Sequence, residues 1–286
     1  MEEERPFYRY YIDEKEDKMS QKLFHTFIAI FLVFYLLVIS LSFAFYQNFS
    51  YISISGKSMQ STLNPSPVLV QTKRGSEYLQ DGVYIKHTKD VDYGDIVVLD
   101  PSEEKEDDTI IKRVLALEGD YITIVKIPNA EGTLEYHVLR VKENTNKVEI
   151  LQEDYIYSYS DWTGKEGSAN DAVVSGVVYE ASIYKNFSTY LKYETKTFSV
   201  SKIDGANVTF FKVPENSIFF LGDNRANSND SRALGCFDLS KIEGRVCAIV
   251  RDGTAYEGNN MWWINRIKGF FEVIWREILV FFGASA

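Results

Sequence analysis

The sequence predicts a mostly β protein behind a single N-terminal membrane-spanning helix, with an amphipathic helix at the C-terminal end. Three observations predict it. Residues 23–46 form an uncharged, apolar run. Beyond it, short apolar or alternating stretches recur, punctuated by Gly, Pro, Asn and Asp. Last, Met261–Phe282 places apolar residues at helical spacing among charges.

The first element is the span. Only His25, Thr26, Ser40 and Ser42 are polar between Leu23 and Tyr46. A helix of that length reaches roughly 36 Å, against a hydrocarbon core of about 30 Å. A cleaved signal peptide would have a shorter apolar region, beginning earlier, so the run reads as an uncleaved anchor. Its orientation follows from the flanks. Arg5, Arg9, Lys15, Lys18 and Lys22 precede it, and only Lys57 lies between Gln47 and Ser66. Lys and Arg stay on the cytoplasmic side. The N-terminus is therefore expected inside and everything from about residue 47 outside, a single-pass cell-membrane protein. The acidic runs Glu2–Glu4 and Asp13–Asp17 read as a solvated tail.

Strands are expected at Val68–Gln71, Ile96–Leu99, Ile110–Leu117, Tyr121–Lys126, Val138–Val141, Thr197–Lys202, Asn207–Phe211, Ser217–Leu221 and Gly244–Val250. The stretch 127–212 differs in texture. It is rich in Tyr, Ser, Thr, Lys and Glu and holds no compact motif, so it reads as an inserted, β-rich second lobe. The expected domains are a cytoplasmic tail 1–22, the anchor 23–46, a β-domain from 47–126 and 213–258, the inserted lobe 127–212, and a C-terminal amphipathic helix and tail 259–286. In the last of these, Trp263, Ile267, Phe270, Phe271, Ile274, Ile278 and Phe281 alternate with Arg266, Lys268, Glu272, Arg276 and Glu277. Such a helix lies on the membrane surface or packs on its own domain; a second span fits the charges less well.

Composition excludes several classes. A net charge of −10 argues against nucleic acid as a partner. The two cysteines, Cys236 and Cys247, have no zinc-like spacing, although outside the cell they could form a disulfide. His25, His87 and His137 are scattered, which gives a histidine triad little support.

Three segments carry chemistry. Ser58 sits in Ser55-Gly56-Lys57-Ser58-Met59-Gln60-Ser61-Thr62-Leu63, just outside the span. Gly56 allows a close backbone approach, but a serine in a turn is ordinarily only a turn residue. Ile110–Leu117 reads as a buried strand with two central cations. Strand parity puts Lys112 on the face of Ile110 and Val114, and Arg113 on that of Ile111 and Leu115. One cation should be desolvated, and burial lowers a lysine pKa. A neutral amine can take a proton from a serine hydroxyl. The alternative is an edge strand whose cations snorkel to water. Finally, the apolar run Phe219–Leu221 enters a dense polar loop, Gly222 to Gly235, in which Asp223, Arg225, Asp230 and Arg232 alternate in sign. Asp and Arg two apart can pair across a turn.

These segments, in this order, resemble the boxes of bacterial type I signal peptidases, the Ser/Lys-dyad serine proteases, in their Gram-positive-like branch. Gly56–Leu63 resembles the nucleophile box, Tyr93–Val98 a Gly-Asp box, Ile111–Asp120 the Lys-Arg-Val box, and Gly222–Arg232 the Gly-Asp-Asn-Arg box. The resemblance covers the span and the boxes but not the insert. It implies an all-β catalytic fold at the membrane surface, no metal or organic cofactor, and hydrolysis of exported preproteins after a small-x-small motif. It implies Ser58 as nucleophile and Lys112 as general base. Met59 would shape the site, and Ser228 would hydrogen-bond the Lys112 amine. Asp230 and Arg232 would pair to hold the last box. Asp223 and Arg225 would support them, with Arg113, Gly222 and Asn224 among the supporting residues. The Ser58 N–H would serve the oxyanion, and Gly56 stands where some members carry a second donor, a serine. Two departures affect loop structure: Ser61 and Glu118 stand where proline is usual. The bilayer and the secretion translocon are further candidate partners.

Other readings remain open. Self-cleaving repressors share the Ser–Lys fold but carry a DNA-binding region in place of an anchor. A peptidase dedicated to pilins or surface proteins would hold its specificity in the insert. A non-enzymatic, membrane-tethered β-domain is the third. The terminal Ala284-Ser285-Ala286 is itself small-x-small, and reads as a flexible tail or as a product-like segment.

Overall fold

A computed structural model describes residues 7–64, 69–72, 75–78, 80–101, 109–132, 134–156, 172–174, 177–179, 192–201, 205–253 and 261–283. The runs Glu2–Glu4 and Ala284–Ala286, and most of 157–191, lie outside the described residues.

Two compact units make up the chain, residues 1–49 and 50–286. The first is helix α1, Phe7–Asn48. Within its segment Lys18–Asn48 an 18-residue stretch reaches a mean hydropathy of 2.7, and among the described residues this is the one helix long and apolar enough to cross a membrane. None of that 18-residue stretch is buried against protein, and at its far end Phe45 stacks on Phe49. Where water is absent, a helix satisfies its own backbone, and Thr26 and Ser40 return their hydroxyls to the carbonyls of Lys22 and Leu36.

The second unit is antiparallel β in every strand pair described. Its first sheet has the order β1 (Phe49–Ser53), β4 (Gly82–Lys86), β16 (Ile242–Val250), β5 (Ile96–Leu99), β6 (Ile110–Ala116), β14 (Ser217–Leu221), β15 (Phe237–Asp238). A hairpin, β2 (Leu69–Thr72) and β3 (Gly75–Tyr78), stands apart. The second sheet draws its strands from Tyr121 to Lys212. Its order is β10 (Ala172–Val174), β11 (Val177–Tyr179), β7 (Tyr121–Pro128), β13 (Ala206–Lys212), β12 (Thr195–Val200), and β8 (Leu134–Val141) joins β7 to β9 (Val148–Ile150). β7 therefore opens the second sheet, six residues before the texture change at 127.

β6 lies between β5 and β14, with Val97 opposite Lys112 and Leu221 opposite Arg113. It is an interior strand, so its central cations cannot turn to an open edge. Its faces feed separate clusters: Val114 packs with Val97, Leu99, Ile218 and Phe220, and Ile111 with Ile54, Met59, Leu63 and Val83. At the end of β6, Asp120 accepts from the N–H of Leu117 and of Glu143 and from the Tyr93 hydroxyl, which ties the two sheets together.

Helix α2 is one turn, Ser231–Leu234, capped by Asp230. Helix α3, Trp262–Phe281, rests on β16 through Gly269 and Val273. A Cβ at Gly269 would come within 2.6 Å of the Val250 side chain, so glycine there lets helix and strand close up. No disulfide joins Cys236 and Cys247. Cys236 packs in the core between the sheets beside Tyr193, and Cys247 stands on β16 with its thiol on the Tyr84 carbonyl. Burial pushes the two thiols up, to about 12 and about 11.

Candidate active site

The site forms where three segments meet beside β6. After β1 the chain leaves the sheet into a loop that turns at Met59, whose carbonyl accepts the N–H groups of Thr62 and Leu63. Met59 is fully buried and fixes the loop from below. Ser58 precedes it, half-buried, and its carbonyl accepts the Asn224 N–H at 3.0 Å. A Cβ at Gly222 would lie 2.5 Å from that same carbonyl and 2.2 Å from Ser228 Oγ. Only glycine allows the last box to approach the nucleophile loop so closely.

Lys112 Nζ lies 2.8 Å from Ser58 Oγ and also donates to the Ile111 carbonyl at 2.7 Å. Lys112 is only 3% exposed. Three arginines take up the nearby carboxylates. Arg113 makes a bidentate pair with Asp223 (2.9 and 2.7 Å), Arg232 one with Asp230 (2.8 and 2.9 Å), and Arg225 one with Glu153. All three carboxylates are fully buried. Among the described residues Lys112 is left in no ion pair. Burial therefore dominates and lowers its pKa to about 8, although the charges of Asp230 and Asp223 pull the other way. Burial would raise the Asp230 carboxyl, but Arg232 outweighs it and holds the group below the usual carboxylate value.

Several pairings differ from those the sequence suggests. Asp230 and Arg232 do pair across a turn, because Asp230 caps α2 and the helical turn returns Arg232 to it. Asp223 and Arg225, equally spaced, do not pair with each other; a 3-10 turn begins at Arg225, and each side chain reaches another segment. Ser228 Oγ is buried but does not bond the Lys112 amine, whose two described bonds go to Ser58 and the Ile111 carbonyl; the hydroxyl stands by the Asp230 carboxylate and helps to hold it ionised. Asn224 adds a weak contact to Gln60.

Glu153 is the residue that sequence reading missed. It lies on Leu151–Ile156, the segment that follows β9, and this strap reaches all three parts of the site. Glu153 pairs with Arg225. Tyr155 donates to Glu153 and lies 3.9 Å beneath the Arg113 guanidinium, and its carbonyl accepts from Ser61 Oγ. Leu151, Tyr155 and Ile156 pack on the core cluster around Leu115 and Phe219. Its neighbours Gln152 and Asp154 are polar, so no local signal set it apart.

Both departures from proline also find a cause. Ser61 has φ 102°, which a proline ring fixed near −65° cannot adopt. Glu118 accepts the Asn216 N–H at 2.8 Å.

The family model for signal peptidase, peptidase S26, matches residues 23–251. The chain belongs to the signal peptidase family. The match begins at the apolar run and ends after β16, so it takes in the whole site and stops short of α3. Signal peptidase I of Streptococcus pneumoniae is 27% identical over 210 residues, covering 72% of this chain and 85% of that protein. Signal peptidase IB of Staphylococcus aureus is 43% identical over 54 residues, covering 19% of this chain and 28% of that protein. Among solved structures, a signal peptidase I from Enterococcus faecalis matches at 22% identity and a TM-score of 0.26, covering 55% of this chain and 97% of that one. As a member of this family the chain is a serine peptidase that removes signal peptides, and its N-terminal apolar helix is consistent with the family's membrane anchoring.

Proposed function

We propose that this signal peptidase cuts exported preproteins after a small-x-small motif, with Ser58 as nucleophile and Lys112 as general base. The observation that carries the reading is the 2.8 Å contact between Ser58 Oγ and a buried lysine amine in no ion pair. With a pKa of about 8, Lys112 is mostly protonated at neutral pH and donates to Ser58. Loss of one proton reverses that hydrogen bond, so the hydroxyl then donates to the amine. Ser58 Oγ attacks the scissile carbonyl as its proton passes to Lys112 Nζ. The Ser58 N–H stabilises the oxyanion. The tetrahedral species collapses, and Lys112 returns the proton to the departing amine of the mature protein. Water, deprotonated by Lys112, then releases the signal peptide from the acyl-enzyme.

In this reading the catalytic β-domain is 47–126 with 213–258, and 127–212 is a client-facing lobe. Arg113, Asp223, Arg225, Asp230 and Arg232 hold the loops in register, and Ser228 takes the amine once it is neutral. Helix α1 spans the cell membrane with its N-terminus in the cytoplasm, and the catalytic domain stands outside, where preproteins leave the translocon. The test is incubation of the detergent-solubilised full chain with a preprotein, beside Ser58→Ala and Lys112→Ala. Wild type should cleave after the small-x-small motif and both variants should not. Cleavage by either variant at the wild-type rate would sink the mechanism.

A further inference from the structure

Helix α3 has three faces. Gly269 and Val273 pack on β16, flanked by Arg266, which donates to the Gly253 carbonyl, and Glu277, which pairs with Lys86 at 2.8 Å. Lys268, Glu272 and Arg276 lie on a polar strip, where Glu272 and Arg276 pair at (i, i+4). The remaining arc carries Trp263, Ile267, Phe271, Trp275 and Ile278, all exposed; Phe271 is 62% and Trp275 60% open. These positions follow one another by three or four residues and form one stripe. An ordinary surface helix packed by one face would carry polar residues around the rest of its circumference. This stripe has no protein partner among the described residues.

We propose that the stripe is a second attachment to lipid: α3 lies in the headgroup region of the bilayer, with Trp263, Phe271 and Trp275 inserted. The proposal rests on the anchored reading of α1. The argument for lipid over protein is the chain itself. The apolar helix runs to Asn48 and strand β1 begins at Phe49, so no linker separates an anchored span from the folded domain. A domain so tethered meets the bilayer at an effective concentration far above that of any soluble partner. The composition also suits an interface. Tryptophans stand at its start and near its end, at 263 and 275, and the basic Lys268 borders it on the polar side. α3 lies beyond the residues matched by the family model, 23–251.

The test uses the full chain in phospholipid vesicles and tryptophan emission. One variant keeps Trp275 alone (Trp162→Phe, Trp262→Phe, Trp263→Phe). A second removes Trp275 as well (Trp275→Phe) and adds Tyr35→Trp as a reporter of the span. Lipids brominated either near the headgroup or near the tail end act as quenchers. If α3 lies at a depth of about 5–10 Å, shallow bromines should quench Trp275 by roughly half or more, and deep ones much less. The Tyr35→Trp reporter should show the reverse order. Quenching of Tyr35→Trp with Trp275 untouched would overturn the proposal and leave the anchor standing. An unquenched Tyr35→Trp reporter would overturn the anchored reading and the proposal with it. Concentration-dependent cross-linking through Phe271→Cys, with Trp275 shielded from bromine, would assign the stripe to a second copy instead. Cleavage of a short soluble peptide in detergent, within about twofold of wild type, certifies that each variant is folded; Phe271→Glu with Trp275→Glu should keep that activity while slowing cleavage of a vesicle-embedded preprotein about tenfold.

Discussion

Replacing Lys112 by methionine separates what the lysine does for catalysis from what it costs the fold. Its pKa in the folded chain is about 8, against 10.5 for a solvated lysine. Between those two pH values the unfolded chain binds more protons than the folded one, so stability rises with pH across that window. Below about pH 8 the full penalty is present. At about 1.4 kcal/mol per unit it amounts to about 3 kcal/mol. Lys112→Met fills the same volume without the charge. It should therefore abolish cleavage and yet stabilise the protein at pH 7 by up to about 3 kcal/mol, and flatten the rise between pH 8 and 10.5. Thermal unfolding in detergent across pH reads both effects. The same pKa fixes the wild-type rate profile. The neutral fraction is about a tenth at pH 7 and a half at pH 8, so kcat/KM should rise about fivefold over that unit and less than twofold over the next. A rate flat down to about pH 5, or a Lys112→Met protein less stable than wild type at pH 7, would refute the reasoning.

Glu153→Gln keeps the shape of the strap but leaves Arg225 buried without its counter-charge, and should cost about 3–5 kcal/mol of stability; unchanged unfolding would show that the pair does not hold the strap. A Cβ at Gly56 meets open space. Gly56→Ser should therefore fold normally and, as an added oxyanion donor, raise kcat by up to ~100-fold; an unchanged kcat would mean that the hole is already complete. Ser61→Pro should cost ~3 kcal/mol or more and lower activity, because φ 102° is closed to proline; wild-type unfolding would contradict that backbone.

The strands were legible where apolar residues alternate between turn signals. Ile96–Leu99, Ser217–Leu221 and the start at Tyr121 coincide with the observed strands. The short β1 and β4 were not, because Phe49–Ser53 follows only two residues after the apolar span and Gly82–Lys86 begins at a glycine. The parity of β6 was legible too, but not which cation would lose its water. That depends on β5 and β14 covering the strand and on three arginines taking the carboxylates, and pairings across such distances along the chain leave no local pattern. Glu153 illustrates the limit. In Leu151-Gln152-Glu153-Asp154-Tyr155 it looks like one more surface acid, and only tertiary structure joins it to Arg225.

The strap Leu151–Ile156 also bears on protein engineering. Replacing 127–212 by a short loop would excise Glu153 and Tyr155 together, leaving Arg225 charged and buried and the Arg113 guanidinium uncovered on one side. The segment 127–212 is therefore not a detachable module. A chimaera that exchanges it should keep Leu151–Ile156 in place and splice on either side of it.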